Sequence, residues 1–459
     1  MAMIVEGGIA KFPSGRLPEE ALPEAEAAYG REPSGKVYRI EAGTPLAEVN
    51  ALPLAPGDAV LFQRGGLWRG QLRVRSGKPG HPVTYGAFGD GPAPIIQPSR
   101  PGDGPGRWRQ EGDAVWSADT AATADVGNVI LDHGDDGCLF RRQNAASLQR
   151  DRDYFFDAST GRVFVKSESG NPGLRWRSVE FAEKIHAIDE GMMHDVVFEG
   201  LAVRYTAAHG FGGGGVKRIA IRDCDISWVG GGYLYVDTLG NGVRYGNGIE
   251  FWGGAEDALV EGCRVSECWD AGLTNQSNEP SSVQRNIVWR GNEVSRCEYS
   301  YEFWHQGKGG TTSEIRLEGN RFTDAGGGWG HRQRWNPNAA HLMLYDTTMD
   351  TPAFVIRDNV FSRSADCLCR VFNQWRGHAE VSGNRWESGG EPVCRWHARP
   401  RSGLRYLYPD RLDQIHCDDA AEIESQGQGA ETFPATEEGF RRFGQSLGFG
   451  PDKFSFITL

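Results

Sequence analysis

No apolar run in this sequence approaches the ~18 residues that a membrane-spanning helix needs, so no span is expected. Basic blocks are missing too. Lys and Arg total 49 against 61 Asp and Glu, a formal net charge of −12, which argues against nucleic acid as a partner. The nine cysteines are odd in number and show no CxxC pair at zinc-finger spacing, so they do not read as a disulfide framework. There is no GxSxG elbow, no P-loop and no HExxH motif, and no strict G-X-Y period. The opening Met1–Gly8 is too short for a signal peptide. What is present is glycine (63 residues) and aromatics (14 Trp, 13 Tyr, 22 Phe). That is the composition of a turn-rich globular protein with flat surfaces suited to sugar rings as well as to a core.

The middle of the chain carries a degenerate repeat in which β-branched residues lead into a short polar step. Its copies are Val197–Leu201, Ile221–Cys224, Val260–Cys263, Trp289–Asn292, Leu317–Asn320, Ile356–Asn359 and Val381–Asn384. Their last residues are spaced by 23, 39, 29, 28, 39 and 25 positions. A base period in the twenties with insertions is that of a stacked solenoid, whose units need neighbours to bury an apolar face. Ile219-Ala220-Ile221 and Ile315-Arg316-Leu317 alternate as strands do. Gly-Asn and Asp-Asn steps supply the left-handed turns between them. Cys224 and Cys263 fall at equivalent points and are read as small core residues.

On these residues the sequence resembles the right-handed parallel β-helix proteins, many of which are polysaccharide lyases and glycoside hydrolases. The resemblance implies an all-β solenoid in which Asn292, Asn320, Asn359 and Asn384 form an internal ladder. Residues 1–106 are expected to hold the N-terminal coils, since Val37–Ile40, Val60–Phe62, Gln71–Val74 and Val83–Tyr85 are short strands between Gly/Pro turns. Residues 107–184 break the period and are expected to form a small antiparallel β insertion, with a hairpin turn at Asp157–Arg162. Residues 185–398 form the main β-helix. Residues 399–459 form a cap with a helix over Glu437–Leu447, stopped by Gly448.

Aligning the coils on the polar step superimposes Gly248–Trp252, Gly272–Gln276, Ser300–Trp304 and His341–Tyr345. Alternation turns Ile249, Leu273, Tyr301, Leu342, Phe251, Phe303 and Leu344 inward. One outward row is Glu250, Thr274, Glu302 and Met343; the next is Trp252, Gln276, Trp304 and Tyr345. Two carboxylates beside an aromatic row are unusual on a strand face, where Glu is disfavoured. Two strand spacings put Glu250 and Glu302 about 9–10 Å apart at Cα, near the range in which inverting glycosidases hold their acids. Asp270 stands at the edge of the middle strand. Two long excursions enter from one edge, one carrying Tyr233, Tyr235, Asp237 and Tyr245, the other His331, Arg334 and Trp335.

The expected function is hydrolysis of a polysaccharide or oligosaccharide. One of Glu250 and Glu302 would be the acid, and the other, or Asp270, the base or nucleophile. Trp252, Trp304 and Tyr345 would stack sugars, while His305, His331, Arg334 and Asp237 would bind them. No cofactor and no metal are expected; the spacing of His305, His331 and His341 does not establish a site. The alternative is a lyase or epimerase acting on uronic acids, with Ca²⁺ held by the carboxylates. Asn247-Gly248-Ile249-Glu250 is loosely similar to a short motif of β-helix alginate lyases, but the Lys expected in the following coils is absent and only Lys308 is near. A non-catalytic carbohydrate-binding solenoid is the third reading. A secreted or periplasmic location fits all three.

Overall fold

The computed structural model describes residues 33–236, 242–334, 337–347, 353–372 and 378–387, together with the short strands Ala2–Val5, Cys394–His397, Ala430–Phe433 and Phe454–Ile457. Its organising feature is a corner repeated once per coil. Gly200, Asp223, Gly262, Gly291, Gly319, Asp358 and Gly383 all adopt φ between +49° and +67°. Only Gly, and Asn or Asp after it, enters that left-handed region readily. The polar step is therefore a backbone requirement. Immediately after it, the chain buries Leu201, Cys224, Cys263, Asn292, Asn320, Asn359 and Asn384.

The four asparagines form the expected ladder. The backbone N–H groups of Cys263, Asn292, Asn320 and Asn359 donate to the side-chain oxygens of Asn292, Asn320, Asn359 and Asn384 at 2.9–3.0 Å. Each side-chain amide donates in turn to a carbonyl of the preceding coil, at Val260, Trp289, Leu317 and Ile356. Corner carbonyls and N–H groups that the strands cannot reach are satisfied this way.

Three parallel faces run between the corners. The first stacks Val37–Ile40, Ala59–Gln63, Val83–Phe88, His194–Glu199 and Gly214–Arg222. It continues through the second half of Ile249–Glu261, Val283–Arg290, Thr311–Glu318, Ala353–Arg357 and His378–Ser382. Residues 37–100 and the described residues between 185 and 397 thus stack as one parallel β-helix. The second face follows each corner, from Ala202–Thr206 to Arg385–Glu387. The third face runs through Leu72–Arg73, Ile188–Asp189, Phe211–Gly212, the first half of Ile249–Glu261, Ala271–Ser277, Tyr299–His305, Ala340–Thr347, Cys369–Phe372 and Cys394–His397. A single apolar column fills the lumen from Ile40 to Cys369. Rings pack along it, as in Phe251–Trp289–Tyr301 and Phe303–Phe354. Cys224 and Cys263 lie in it, free and buried.

The insertion is a separate five-stranded sheet of Arg109–Gly112, Val115–Asp119, Phe140–Arg141, Asp153–Asp157 and Arg162–Lys166, with its own core around Tyr154, Val163 and Phe181. Asp157 and Arg162 close its hairpin. At its ends, Val126–Leu131 pairs antiparallel with Val179–Glu183, which joins the second face. Ala2–Val5 belongs by position to the first coils, yet it pairs antiparallel with Arg385–Glu387 at the last one. Phe454–Ile457 adds outside it, and Ala430–Phe433 pairs with Cys394–His397. Antiparallel additions of this kind cover strand edges that a solenoid would otherwise leave open. The helix expected over Glu437–Leu447 lies outside the described residues. Among the described residues, no helix is long and apolar enough to cross a membrane.

Candidate functional site

The third face carries the outward row read from the sequence. Glu250 is aligned with Thr274, Thr274 with Glu302, and Glu302 with Met343. Ile249, Leu273, Tyr301, Leu342, Phe251, Phe303 and Leu344 turn inward and are buried, as alternation requires. The second row aligns Trp252 with Gln276 and Gln276 with Trp304. The two indoles meet edge to face at 5.4 Å. Beyond Phe303 the register shifts, so Tyr345 leaves that row. It packs instead against the buried cluster that contains Tyr299, Met343 and Cys367. Gln276 donates to both Thr274 Oγ1 and Glu302 Oε2 at 2.8 Å and accepts from Trp304 Nε1, which ties Glu302 to the aromatic row.

Glu250 has a different set of neighbours. His209 Nδ1 lies 2.6 Å from its Oε2, and the Asn247 side-chain amide donates to the same oxygen at 2.8 Å. The Asn247 backbone N–H also reaches His209 Nδ1 at 3.0 Å. The two contacts compete: a protonated ring donates to Glu250, whereas a ring unprotonated at Nδ1 accepts from Asn247. His209 stacks on His186 at 4.9 Å and meets the edge of Tyr245 at 5.0 Å. Burial alone would raise the Glu250 pKa, but His209, Asn247 and His186 together hold it below the usual carboxylate range. Burial and the neighbouring His209 push His186 down to about 4.

Asp270 sits at the edge of the same enclosure with the opposite displacement. Arg334 donates to its Oδ1 at 2.9 Å. Burial and the nearby carboxylates of Glu298 and Glu250 outweigh that cation and raise the Asp270 pKa. Glu298 is wholly buried; His331 Nδ1 lies 2.9 Å from it, and the Asn338 N–H donates to it at 2.7 Å. With Arg334 3.7 Å away, these contacts lower its pKa against burial. Burial pushes the Tyr299 phenol up, and the neighbouring Asp270, Glu298 and Glu302 push the same way. Beneath the face, Glu190 is inward and wholly buried, and among the described residues neither of its oxygens has a hydrogen-bond partner. Its pKa is raised by burial and by the adjacent Asp189 and Glu250.

The walls come from both excursions and from the insertion. The first excursion is a hairpin of Gly232–Val236 and Gly242–Tyr245, and the second contains the short helix Trp329–Gln333. Arg244 of the hairpin donates to Gly231 O (2.7 Å), to Gly127 O (2.8 Å) and to Gln333 Oε1 (3.0 Å). Its guanidinium lies 3.8 Å over the Trp269 ring, and that of Arg334 lies 5.1 Å from it. From the insertion, Arg141 pairs with Asp125 at 2.5 Å and covers the Tyr233 ring at 3.7 Å, and Gln333 donates to Leu139 O at 2.8 Å. A segment that sequence reasoning set aside as an interruption of the repeat is part of the site.

Glu250, Asp270, His331 and Arg334 are therefore brought together, with Glu302 two strands along and Trp252 and Trp304 beside it. His305 is fully buried between Ser282 and Thr312, at 2.6 and 2.7 Å, which leaves it no surface for a sugar. His341 is buried against Ser300 and Phe361, so the three histidines do not converge. Asp237 lies outside the described residues. His209, His186, Glu298 and Tyr299 were not singled out from the sequence, and Asn247 only as the first residue of the Asn247–Glu250 motif. Asn247 had a legible signal, standing three residues before Glu250; His209 lies a whole coil away. Among the described residues, no group of three or more His, Cys, Asp or Glu is placed to hold a metal ion.

Residues 182–330 match the family described as the right handed beta helix region, which assigns the hand of the stack. No curated protein matches the sequence significantly. Among solved structures, the chain is similar to one described as a glycoside hydrolase, with 9% identity, a TM-score of 0.46, and 82% of this chain and 100% of that chain covered. It is also similar to an alginate lyase from Paenibacillus sp. str. FPU-7, with 9% identity, a TM-score of 0.38, and 79% and 97% covered. A third is the surface protein and adhesin PfbA of Streptococcus pneumoniae, with 8% identity, a TM-score of 0.34, and 81% and 94% covered. At these identities the likeness is one of fold.

Proposed function

We propose that this right-handed parallel β-helix is a glycoside hydrolase acting on a polysaccharide or oligosaccharide laid across the Glu250 face. The observation that carries the reading is the contrast in what surrounds two carboxyls of one enclosure. Glu250 meets the His209 imidazole at 2.6 Å and the Asn247 amide at 2.8 Å, which favour its ionised form. Asp270, beside Arg334, is buried near Glu298 and Glu250, which raises its pKa. Glycoside cleavage needs one ionised and one protonated carboxyl. In this reading Asp270 gives its proton to the glycosidic oxygen as the bond to the leaving sugar breaks. Glu250 takes a proton from the attacking water, or itself bonds to the anomeric carbon. His209 and Asn247 position Glu250, and Arg334 positions Asp270. Glu302, Gln276, Trp252 and Trp304 extend the binding surface. The sequence offers Glu250, Glu302 and Asp270 as candidates, with Asp270 as base or nucleophile. In this reading Asp270 is instead the acid beside Glu250, and Glu302, which accepts from Gln276, belongs to the binding surface.

Digestion of a glycan panel, read by reducing-end release and by ultraviolet absorbance, tests this. New reducing ends without absorbance are expected. Absorbing, unsaturated products would assign a lyase, in which His209 or Tyr245, both beside Glu250, would accept the sugar proton. Binding without turnover on every glycan would leave a carbohydrate-binding solenoid.

A further inference from the structure

We propose that a groove at the N-terminal end of the third face binds an anionic sugar residue, so that the glycan this protein takes is an acidic one. The inference rests on the reading above that the face binds a glycan. It concerns residues that reading does not use.

The groove lies between the helix Leu46–Asn50 and the strand Leu72–Arg73. Its volume is about 540 Å³, and its lining includes Leu46, Asn50, Arg69, Gln71, Arg73 and Arg75. That is within the size of small-molecule sites generally. Asn50 builds the wall by donating to Gln71 O and accepting from the Arg73 N–H, both at 2.9 Å. Of the three arginines, Arg69 is committed to Glu180 through bonds of 2.8 and 2.7 Å. Arg73 and Arg75 are exposed, and among the described residues neither forms an ion pair, although Asp189 is the register neighbour of Arg73.

Register connects this groove to the catalytic face. Arg73 aligns with Asp189, and Asp189 with Gly212. Phe211 aligns with Ile249, which sets Gly212 beside Glu250. Arg73 therefore stands in the Glu250 row, three strand spacings or about 14–15 Å away. Between them stand Asp189, next to Arg73, and Gly212, which has no side chain. The His186 ring occupies the space a Cβ would need, 2.4 Å from it, and carries the surface on from Glu250 toward the arginines. A chain lying along the helix axis would meet the carboxyl pair and the two guanidinium groups in turn.

The chemistry of the groove selects charge. Arg73 and Arg75, two residues apart and both lining the groove, each offer a planar fork that matches a carboxylate or a sulfate, and a neutral sugar leaves these unmatched. The protein as a whole carries −12 and repels polyanions at long range. Attraction is thus confined to this local pair and is screened by salt.

The test is calorimetric titration of the full-length Glu250→Gln protein, with and without Arg73→Ala and Arg75→Ala together, at low and high NaCl. The probes are an oligogalacturonate, a sulfated carrageenan oligosaccharide and a neutral xylo-oligosaccharide. At least one anionic probe should bind more tightly than the neutral one. That preference should fall about 10- to 100-fold in the double alanine variant, the loss of one or two charged hydrogen bonds, and should shrink with salt. Whether the uronate or the sulfate probe shows the effect identifies the anion. The double lysine variant should keep part of the salt-dependent binding, which separates charge recognition from a folding defect. Equal affinity for the neutral probe, an unchanged double alanine variant, or no binding of either anionic probe overturns the proposal. Arginine-dependent binding with no hydrolysis of any glycan would sink only the hydrolase reading. Hydrolysis whose KM and kcat ignore both arginines would sink only the groove.

Discussion

Glu250 and Asp270 are both carboxyls in a confined space, and their different titration follows from what touches them. Glu250 meets an imidazole and an amide donor, whereas Asp270 meets one guanidinium but two further carboxylates. Glu250→Gln and Asp270→Asn should each lower turnover by about 10²–10⁴-fold with unchanged circular dichroism, since each removes one proton-transfer group. Near-wild-type rates in either would remove that residue from the chemistry. The signs of the pH profile follow. Activity should fall on the acid side as Glu250 is protonated, at a pH below the ordinary carboxylate range. It should fall on the alkaline side as Asp270 ionises, at a pH raised from the ordinary value for Asp. Arg334→Met removes the cation that favours ionised Asp270, so the alkaline limb should move further up in pH. A limb that stays still would break the assignment. Three imidazoles set a separate pH response: His186, His305 and His341 are held at about 4 by burial. The unfolded chain binds their protons from roughly pH 6.5 downward, whereas the folded protein resists until about 4. Stability should therefore be lost as pH falls through that window, and His305→Gln should flatten the slope of melting temperature against pH.

At the scale of elements, the ladder explains why one residue type recurs after the corner. Asn320 accepts from the Asn292 N–H and side-chain amide and donates to Trp289 O, all in a column that excludes water. Leu at this position has about the right size and none of those bonds, so the orphaned groups of two neighbouring coils pay the desolvation cost. Asn320→Leu should lose about 1–3 kcal/mol in denaturant unfolding, or more if both neighbours suffer. Unchanged stability would mean that the apolar column, rather than the ladder, sets the corner. Cys224 and Cys263 show that the apolar solution is also used in the earlier coils, where the ladder ends at the Cys263 N–H. The strands between corners were legible because period-two alternation decides which residues enter the lumen. The bulge beyond Phe303 was not, since an extra residue in one coil leaves no mark on the local pattern.

At the scale of the whole molecule, the insertion and the two excursions form one wall, clamped by buried charges. Arg141 is buried against Asp125, and the Tyr233 N–H donates to the same carboxylate at 2.9 Å. Arg141→Met would leave Asp125 without its cation, a change that costs about 3–5 kcal/mol in buried pairs. Faster hydrogen exchange over 232–236 and 242–245 should follow, with a raised KM and an intact β-helix. Exchange unchanged in the hairpin would show that the insertion does not hold it. Arg244 adds to the clamp and, among the described residues, forms no ion pair with a carboxylate. Burial and the nearby Arg141 push it down to about 10, and two backbone carbonyls and the Gln333 side chain share its donors.

The solenoid, its corners, its ladder and the outward row holding Glu250 and Glu302 were all legible in the order of the residues. Each of these is a local requirement repeated coil after coil: a left-handed residue, a buried amide, an alternation of two. The surroundings of Glu250 and Asp270 came from the stacking of the coils instead. His209 arrives from the preceding coil, Arg334 from an excursion some 60 residues beyond Asp270 in sequence, and Arg141 from the insertion, and none of these approaches obeys a period. The stacking also decided that His305 and His341 are core residues and that Arg73 shares a row with Glu250. Titration and recognition depend on which charges lie within a few ångströms of one another, and that follows from how the coils stack.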